Sequence, residues 1–148
     1  MIVTRRQATA TDREFARAVH HRAYREIIER QYGPWDETAQ DKSFDGAWSR
    51  ADHEIVLCDA VPCGYCRVED RRDDIYVHEL VIDPDYQNLG IGTRVLQGVF
   101  DDSRLRGVPV CLRTQTLNRA AALYRRLGFR ETGRTDIHIL MEWRELQG

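Results

Sequence analysis

No stretch of this 148-residue sequence is apolar for long enough to span a membrane. The opening residues Met1-Ile2-Val3-Thr4-Arg5-Arg6 also lack the apolar core of a secretory signal. These absences make cytoplasmic residence the expectation and leave no role for a membrane. An excess of positive charge is missing too: 22 basic against 24 acidic residues give a net charge of -2. Nucleic-acid binders present a basic stripe, so no nucleic-acid partner is expected. Lysine is nearly absent, with Lys42 alone among the arginines, and no functional reading rests on that bias. Cysteine is sparse. Cys58, Cys63, Cys66 and Cys111 fall in strand-like segments rather than in a loop-rich disulfide framework.

One pair, Cys63-Gly64-Tyr65-Cys66, does have the C-x-x-C spacing of redox and zinc sites. A redox pair of that kind sits at a helix N-terminus, which lowers the thiol pKa. Here the surrounding Val61 to Glu69 alternates as a strand, and strand residues three apart point to opposite faces. The expectation is therefore buried or half-buried thiols and no metal. Linkers, repeats and low-complexity tracts are absent as well. With 42% hydrophobic and 31% charged residues, the chain suits one compact domain over residues 1–148.

What is present alternates between helical and strand periodicity. Ile2 to Gln7 is a short strand candidate. Thr11 with Glu14 three residues on has the form of a capping box, and Phe15, Val19, Ala23 and Ile27 follow along one helix face. Tyr32-Gly33-Pro34 ends that helix, and a second spans about Asp36 to Arg50 with Phe44, Ala47 and Trp48 on one side. Glu54–Cys58, Cys63–Glu69 and Ile75–Ile82 form a strand meander, with turns at Asp59–Pro62 and Asp70–Asp74. A helix carrying Val95, Leu96, Val99 and Phe100 ends near Gly107, followed by a strand from Val108 to Leu112. Asn118 caps a short helix that stops at Gly128. Phe129–Arg134 and Ile137–Trp143 close the chain as strands.

The segment Gln87-Asn88-Leu89-Gly90-Ile91-Gly92 joins the third meander strand to the next helix. A strand that delivers a glycine loop to a helix start can hold a phosphate, because backbone N–H groups and the positive dipole end meet there. The three-glycine dinucleotide fingerprint is lacking, and so is the Gly-Lys-Ser/Thr of a P-loop. The string Gln-x-x-Gly-x-Gly instead resembles the acetyl-CoA-binding loop of the GCN5-related N-acetyltransferases (GNAT). A second run, Asn118 to Phe129, is similar to that family's Asn-x-x-Ala-x-x-Leu-Tyr-x-x-x-Gly-Phe segment, matching at Asn118, Ala121, Leu123, Tyr124, Gly128 and Phe129. The resemblance covers nearly the whole chain. It implies a single-domain α/β GNAT-like fold, a central mixed β-sheet flanked by helices in the order β-α-α-β-β-β-α-β-α-β-β.

The resemblance also implies acetyl-CoA as co-substrate. Its pyrophosphate would lie on the backbone of Gln87, Asn88, Leu89, Gly90, Ile91 and Gly92, with the Thr93 hydroxyl available. Backbone groups of Leu80, Val81 and Ile82 would hold the pantetheine arm and thioester. An N–H of Leu80 or Val81 would steady the carbonyl oxygen as it becomes tetrahedral. Asn118 would serve as helix cap and as a contact to the CoA arm. Tyr124, whose simplest reading is an amphipathic packer, would protonate the departing thiolate.

The acceptor amine must lose a proton before it attacks, and His78 and Glu79 are the candidate bases. They are adjacent and leave opposite faces of a regular strand. Polyamine-type members of the family carry paired acidic residues here, so His78 is a departure, and the preference falls on Glu79. The loop with Tyr32, Trp35, Asp36 and Glu37 is the expected acceptor site, since aromatic faces beside carboxylates attract a cation. That favours a small-molecule cationic amine as acceptor. Protein N-terminal or lysine acetylation and a non-catalytic acyl-CoA sensor stand as alternatives, and a homodimer through the C-terminal strand pair is a further implication.

Overall fold

The computed structural model describes residues 1–146. Its elements follow the expected order: β1 (Val3–Gln7), α1 (Arg13–Tyr32), α2 (Glu37–Arg50), β2 (Glu54–Cys58), β3 (Val61–Asp70), β4 (Ile75–Ile82), α3 (Ile91–Arg106), β5 (Val110–Gln115), α4 (Ala120–Arg126), β6 (Arg130–Arg134) and β7 (His138–Trp143). The strands form one seven-stranded mixed sheet, ordered β1-β2-β3-β4-β5-β7-β6. Only β4 and β5 run parallel among the registers described, pairing Ile75–Val77 with Val110–Leu112. A crossover through α3 makes that parallel pairing feasible, because parallel neighbours need a long connection.

Local chemistry explains where the expected boundaries moved. The entry to α1 is a 3₁₀ turn, Ala10–Asp12, in which the Asp12 carboxylate accepts from the Thr9 N–H at 2.8 Å. The capping box is therefore Thr9/Asp12 rather than Thr11/Glu14, whose carboxylate pairs with Arg13 and Arg17 instead. The β2–β3 turn is only Asp59-Ala60, both left-handed, and Val61 already pairs with Cys58. A two-residue turn of this hand fits strand twist, so β3 starts two residues before its expected beginning. Strand β5 begins at Val110 and runs to Gln115, because β7 pairs with it over its whole length. On α2, Phe44 is buried and Trp48 packs against the core, whereas Ala47 is exposed.

The chain divides into two units, Met1–Arg67 with Glu79–Val95, and Val68–His78 with the described residues from Leu96 onward. In the first, Ala16 and Val19 of α1 and Phe44 of α2 pack with Ile55, Tyr65 and Val81 of the sheet. In the second, Phe100 stacks on Trp143 at 4.0 Å and meets Phe129 at 5.7 Å. Such aromatic pairs add about 0.5–1.5 kcal/mol beyond their buried area.

All four cysteines are free. Burial pushes the Cys63, Cys66 and Cys111 thiols up to about 11, so they stay protonated and inert at neutral pH. Among the described residues no helix is long and apolar enough to cross a membrane.

Candidate active site

In the first unit, β4 ends in a 3₁₀ turn, Pro84–Tyr86, that delivers the glycine loop to α3. Asp83 sets this corner: its carboxylate accepts from the Asp85 N–H and from Arg22 of α1, each at 3.0 Å. Gln87 folds back to donate to the Ile82 carbonyl at 3.0 Å. Asn88 (φ 64°) and Gly90 (φ 82°) are both left-handed, and Gln87 through Gly90 are exposed. Ile91 is buried and pins the helix start. Gly90 directly precedes α3 and has no side chain with which to cap it. A Cβ built on Gly90 would meet no atom within 4 Å, so the space above the loop is open. Left-handed turns leading into a helix start are the geometry of an anion-binding nest. The residues fit the phosphate of a CoA-type co-substrate.

Leu80, Val81 and Ile82 lie on β4 beyond its ladder with β5. Strand β3 approaches them very closely at Gly64, where a Cβ would sit 2.3 Å from the Val81 carbonyl oxygen. Only glycine allows that contact. Gly64 was absent from the expected site, and its signal was a glycine inside an otherwise regular strand.

The two candidate bases have different surroundings. Glu79 lies on the same strand face as Ile75, Val77 and Val81. Burial pushes its carboxyl up from the ordinary range, while the Tyr65 hydroxyl and the Arg67 charge hold it down in part. His78, on the alternate face, hydrogen-bonds Glu69 at 2.8 Å and packs on Tyr76 at 4.6 Å. A carboxylate partner engages that imidazole, whereas Glu79 has no cation bonded to it among the ion pairs described.

The expected acceptor loop is largely engaged with itself. Asp36 caps α2 by accepting from the Ala39 N–H at 3.0 Å. Trp35 donates its indole N–H to Glu37 at 2.6 Å, and the Arg25 guanidinium lies over its ring at 5.8 Å. Tyr32 is exposed at the end of α1. His21, Glu37 and Asp41 bring ligand atoms within 4.8 Å of one another. Asp41 is already bound by Arg17 at 3.0 Å and by His21 at 2.7 Å, which makes this an ion-pair network rather than a cation site.

In the second unit, Asn118 accepts from the Ala120 N–H at 2.9 Å and so caps α4 as expected. Gly128 (φ 101°) turns the chain out of that helix. Tyr124 is buried, packs edge-on to Phe129 at 5.6 Å, and has its phenol pushed up to about 12 by burial. It is therefore protonated throughout the physiological range.

Known proteins carry the same plan. Residues 50–131 match the family model described as an acetyltransferase (GNAT) domain. N-alpha-acetyltransferase RimI of Mycobacterium tuberculosis is 47% identical over 58 residues, 38% of this chain and 35% of that protein. The [ribosomal protein bS18]-alanine N-acetyltransferase of Escherichia coli is 39% identical over 61 residues, 40% of this chain and 41% of that protein. The PaiA N-acetyltransferase of Thermoplasma acidophilum, solved in complex with coenzyme A, superposes with a TM-score of 0.77 at 15% identity, covering 98% of this chain and 100% of that one. That last likeness speaks for the fold. With more than half its length matched by the family model, the chain belongs to the GNAT acetyltransferase family. Its matches span less than half the length of the curated relatives named.

Proposed function

We propose that residues 1–148 act as a single N-acetyltransferase domain that moves an acetyl group from acetyl-CoA to a primary amine. The observation that carries this reading is the family match over residues 50–131, which includes the open left-handed loop ahead of α3. Backbone N–H groups from Gln87 to Gly92, with the Thr93 hydroxyl, bind the pyrophosphate. The β4 backbone at Leu80–Ile82 holds the thioester arm, and an N–H of Leu80 or Val81 steadies the carbonyl oxygen. Asn118 contacts the CoA arm beside its capping role. Glu79 takes the acceptor's proton, and burial that raises its carboxyl makes it a better base near neutral pH. His78, already paired with Glu69, positions rather than accepts. Tyr124 arrives protonated and gives its proton to the leaving thiolate.

For the acceptor, two observations favour the α-amine of a peptide N-terminus over a small cationic amine. By name, the relative RimI is an N-alpha-acetyltransferase and the other an N-acetyltransferase of an alanine in ribosomal protein bS18. The Trp35 ring face that would attract a small cation is already covered by Arg25. The four free cysteines suit a reducing cytoplasmic setting. The test is thiol release from acetyl-CoA over a panel: an alanine-initiated hexapeptide, its N-acetylated form, a lysine-containing blocked peptide, and spermidine. Release with the free alanine peptide and none with its acetylated form is the expected result. Release only with spermidine would replace the peptide reading by the small-amine one. Acetyl-CoA binding without turnover on any amine would point to a sensor.

A further inference from the structure

Val19 of α1 and Val81 near the end of β4 share one core cluster in the first unit. Arg22 stands three residues after Val19, a neighbour on the helix surface, and reaches past the end of the strand. Its two terminal nitrogens go to different carboxylates. Nη1 donates to Asp83 Oδ2 at 3.0 Å, and Nη2 pairs with Asp85 Oδ2 at 3.0 Å. Exposed ion pairs contribute little on their own, but this one is anchored at one end. Asp83 is buried, and its remaining oxygen accepts from the Asp85 N–H at 3.0 Å. Its backbone is engaged too, donating to the Cys63 carbonyl and accepting from the Tyr86 N–H, each at 2.8 Å.

The same corner opens the glycine loop. The Gln87 N–H donates to the Pro84 carbonyl at 3.4 Å, and the Gln87 side chain donates to the Ile82 carbonyl at 3.0 Å. Asp83 to Gln87 is thus one folded turn. Asp85 is two residues from Gln87, so their Cα atoms are at most about 7.6 Å apart. That span lies inside the Debye length of about 10 Å at 0.1 M salt. Two carboxylates at this distance repel an anion held by the loop, and the Arg22 guanidinium offsets one of their two charges.

We propose that Arg22 is a positioning residue for the donor: by bridging Asp83 and Asp85 it holds the entry of the glycine loop and offsets the charge there, so that the loop can take the pyrophosphate. The proposal rests on the reading of Gln87–Gly92 as the pyrophosphate site. Arg22 acts through the two carboxylates and touches no reacting atom. A lysine is a poor substitute, because one ammonium on a flexible stem lacks the fixed fork that spans both partners.

The test is calorimetric titration of CoA into the full chain. Arg22→Gln should weaken CoA binding about tenfold in about 50 mM salt and by a smaller factor in about 500 mM salt, where screening removes the repulsion. Arg22→Lys should fall between this variant and the wild type. Adding Asp85→Asn to Arg22→Gln restores the original charge sum and should recover most of the lost affinity, which a purely structural role would not allow. Asp85→Asn alone, at an exposed position, should tighten CoA about two- to threefold in the lower salt. Unchanged affinity in both Arg22→Gln and Asp85→Asn would overturn the proposal, and so would a loss in Arg22→Gln that neither salt nor Asp85→Asn relieves. Gly90→Val, titrated alongside, separates the two readings. Affinity lost in Gly90→Val but kept in Arg22→Gln overturns the role of Arg22 alone, whereas affinity kept in Gly90→Val overturns the loop reading and the proposal with it.

Discussion

Two short connections lead into helices in the first unit, and they are built in opposite ways. The turn into α2 satisfies itself: Asp36 caps the helix, Glu37 holds the Trp35 indole, and Arg25 covers the ring. The loop into α3 ends in Gly90, which has no side chain to cap with and nothing within 4 Å of where a Cβ would stand. The first arrangement gives a stable helix start with its polar groups already engaged. In the proposed reading, the second leaves helix N–H groups for the pyrophosphate of acetyl-CoA. On that reading, the loop is marked as an anion site less by charged side chains than by their absence at the helix start.

That contrast can be broken from several directions. The largest effect belongs to Tyr124→Phe, which should lower kcat about a hundredfold or more while acetyl-CoA still binds, as expected for loss of a general acid. Steady-state kinetics with direct binding measurements check it. Glu79→Gln should cost about tenfold in kcat. The wild-type rate should rise with pH as Glu79 loses its proton, along a limb displaced above the usual carboxylate range because burial favours the neutral form. In Glu79→Gln that limb should vanish, which a pH–rate profile reads directly.

Gly64→Ala places a methyl 2.3 Å from the Val81 carbonyl oxygen, a contact with backbone that cannot swing aside. The expected cost is about 1–3 kcal/mol in chemical denaturation, with a raised KM for acetyl-CoA as β4 shifts. The smallest effect is that of Arg25→Ala, which uncovers the Trp35 ring. It should lower the KM for spermidine by about two- to threefold and leave the alanine peptide unaffected. A larger gain would reopen the small-amine reading of that loop.

Much of this was legible in the sequence because local chemistry and global fold agree. Ile75–Ile82 and Glu54–Cys58 were bounded as observed, since charged or turn-forming residues flank each apolar run. Asn118 and Gly128 were readable as the ends of α4 because caps and left-handed exits have few residue choices. The misplaced capping box shows the limit: Thr11/Glu14 satisfies the pattern as well as Thr9/Asp12 does. The Arg6 guanidinium that holds Asp12 in place comes from β1, beyond any local window.

The site was legible on the same terms. The glycine loop is a local pattern, whereas the covering of Trp35 by Arg25 needs α1 to pack against the turn that follows it. The His21–Asp41 contact likewise joins two helices, and no spacing rule within either one announces it. Gly64 could have been singled out as a glycine inside a strand, but what it avoids is a carbonyl on another strand.

The most direct measurement compares Gly90→Val with the wild type on two donors, acetyl-CoA and acetyl-pantetheine, which lacks the pyrophosphate. A β-branched residue at φ 82° is strained and should distort the loop that binds the phosphates. kcat/KM for acetyl-CoA should fall about tenfold or more while that for acetyl-pantetheine stays unchanged, the loss expected for one misplaced anion cradle. Equal kcat/KM for acetyl-CoA in the two proteins, or an equal fall for both donors, would contradict the assignment of this loop to the pyrophosphate.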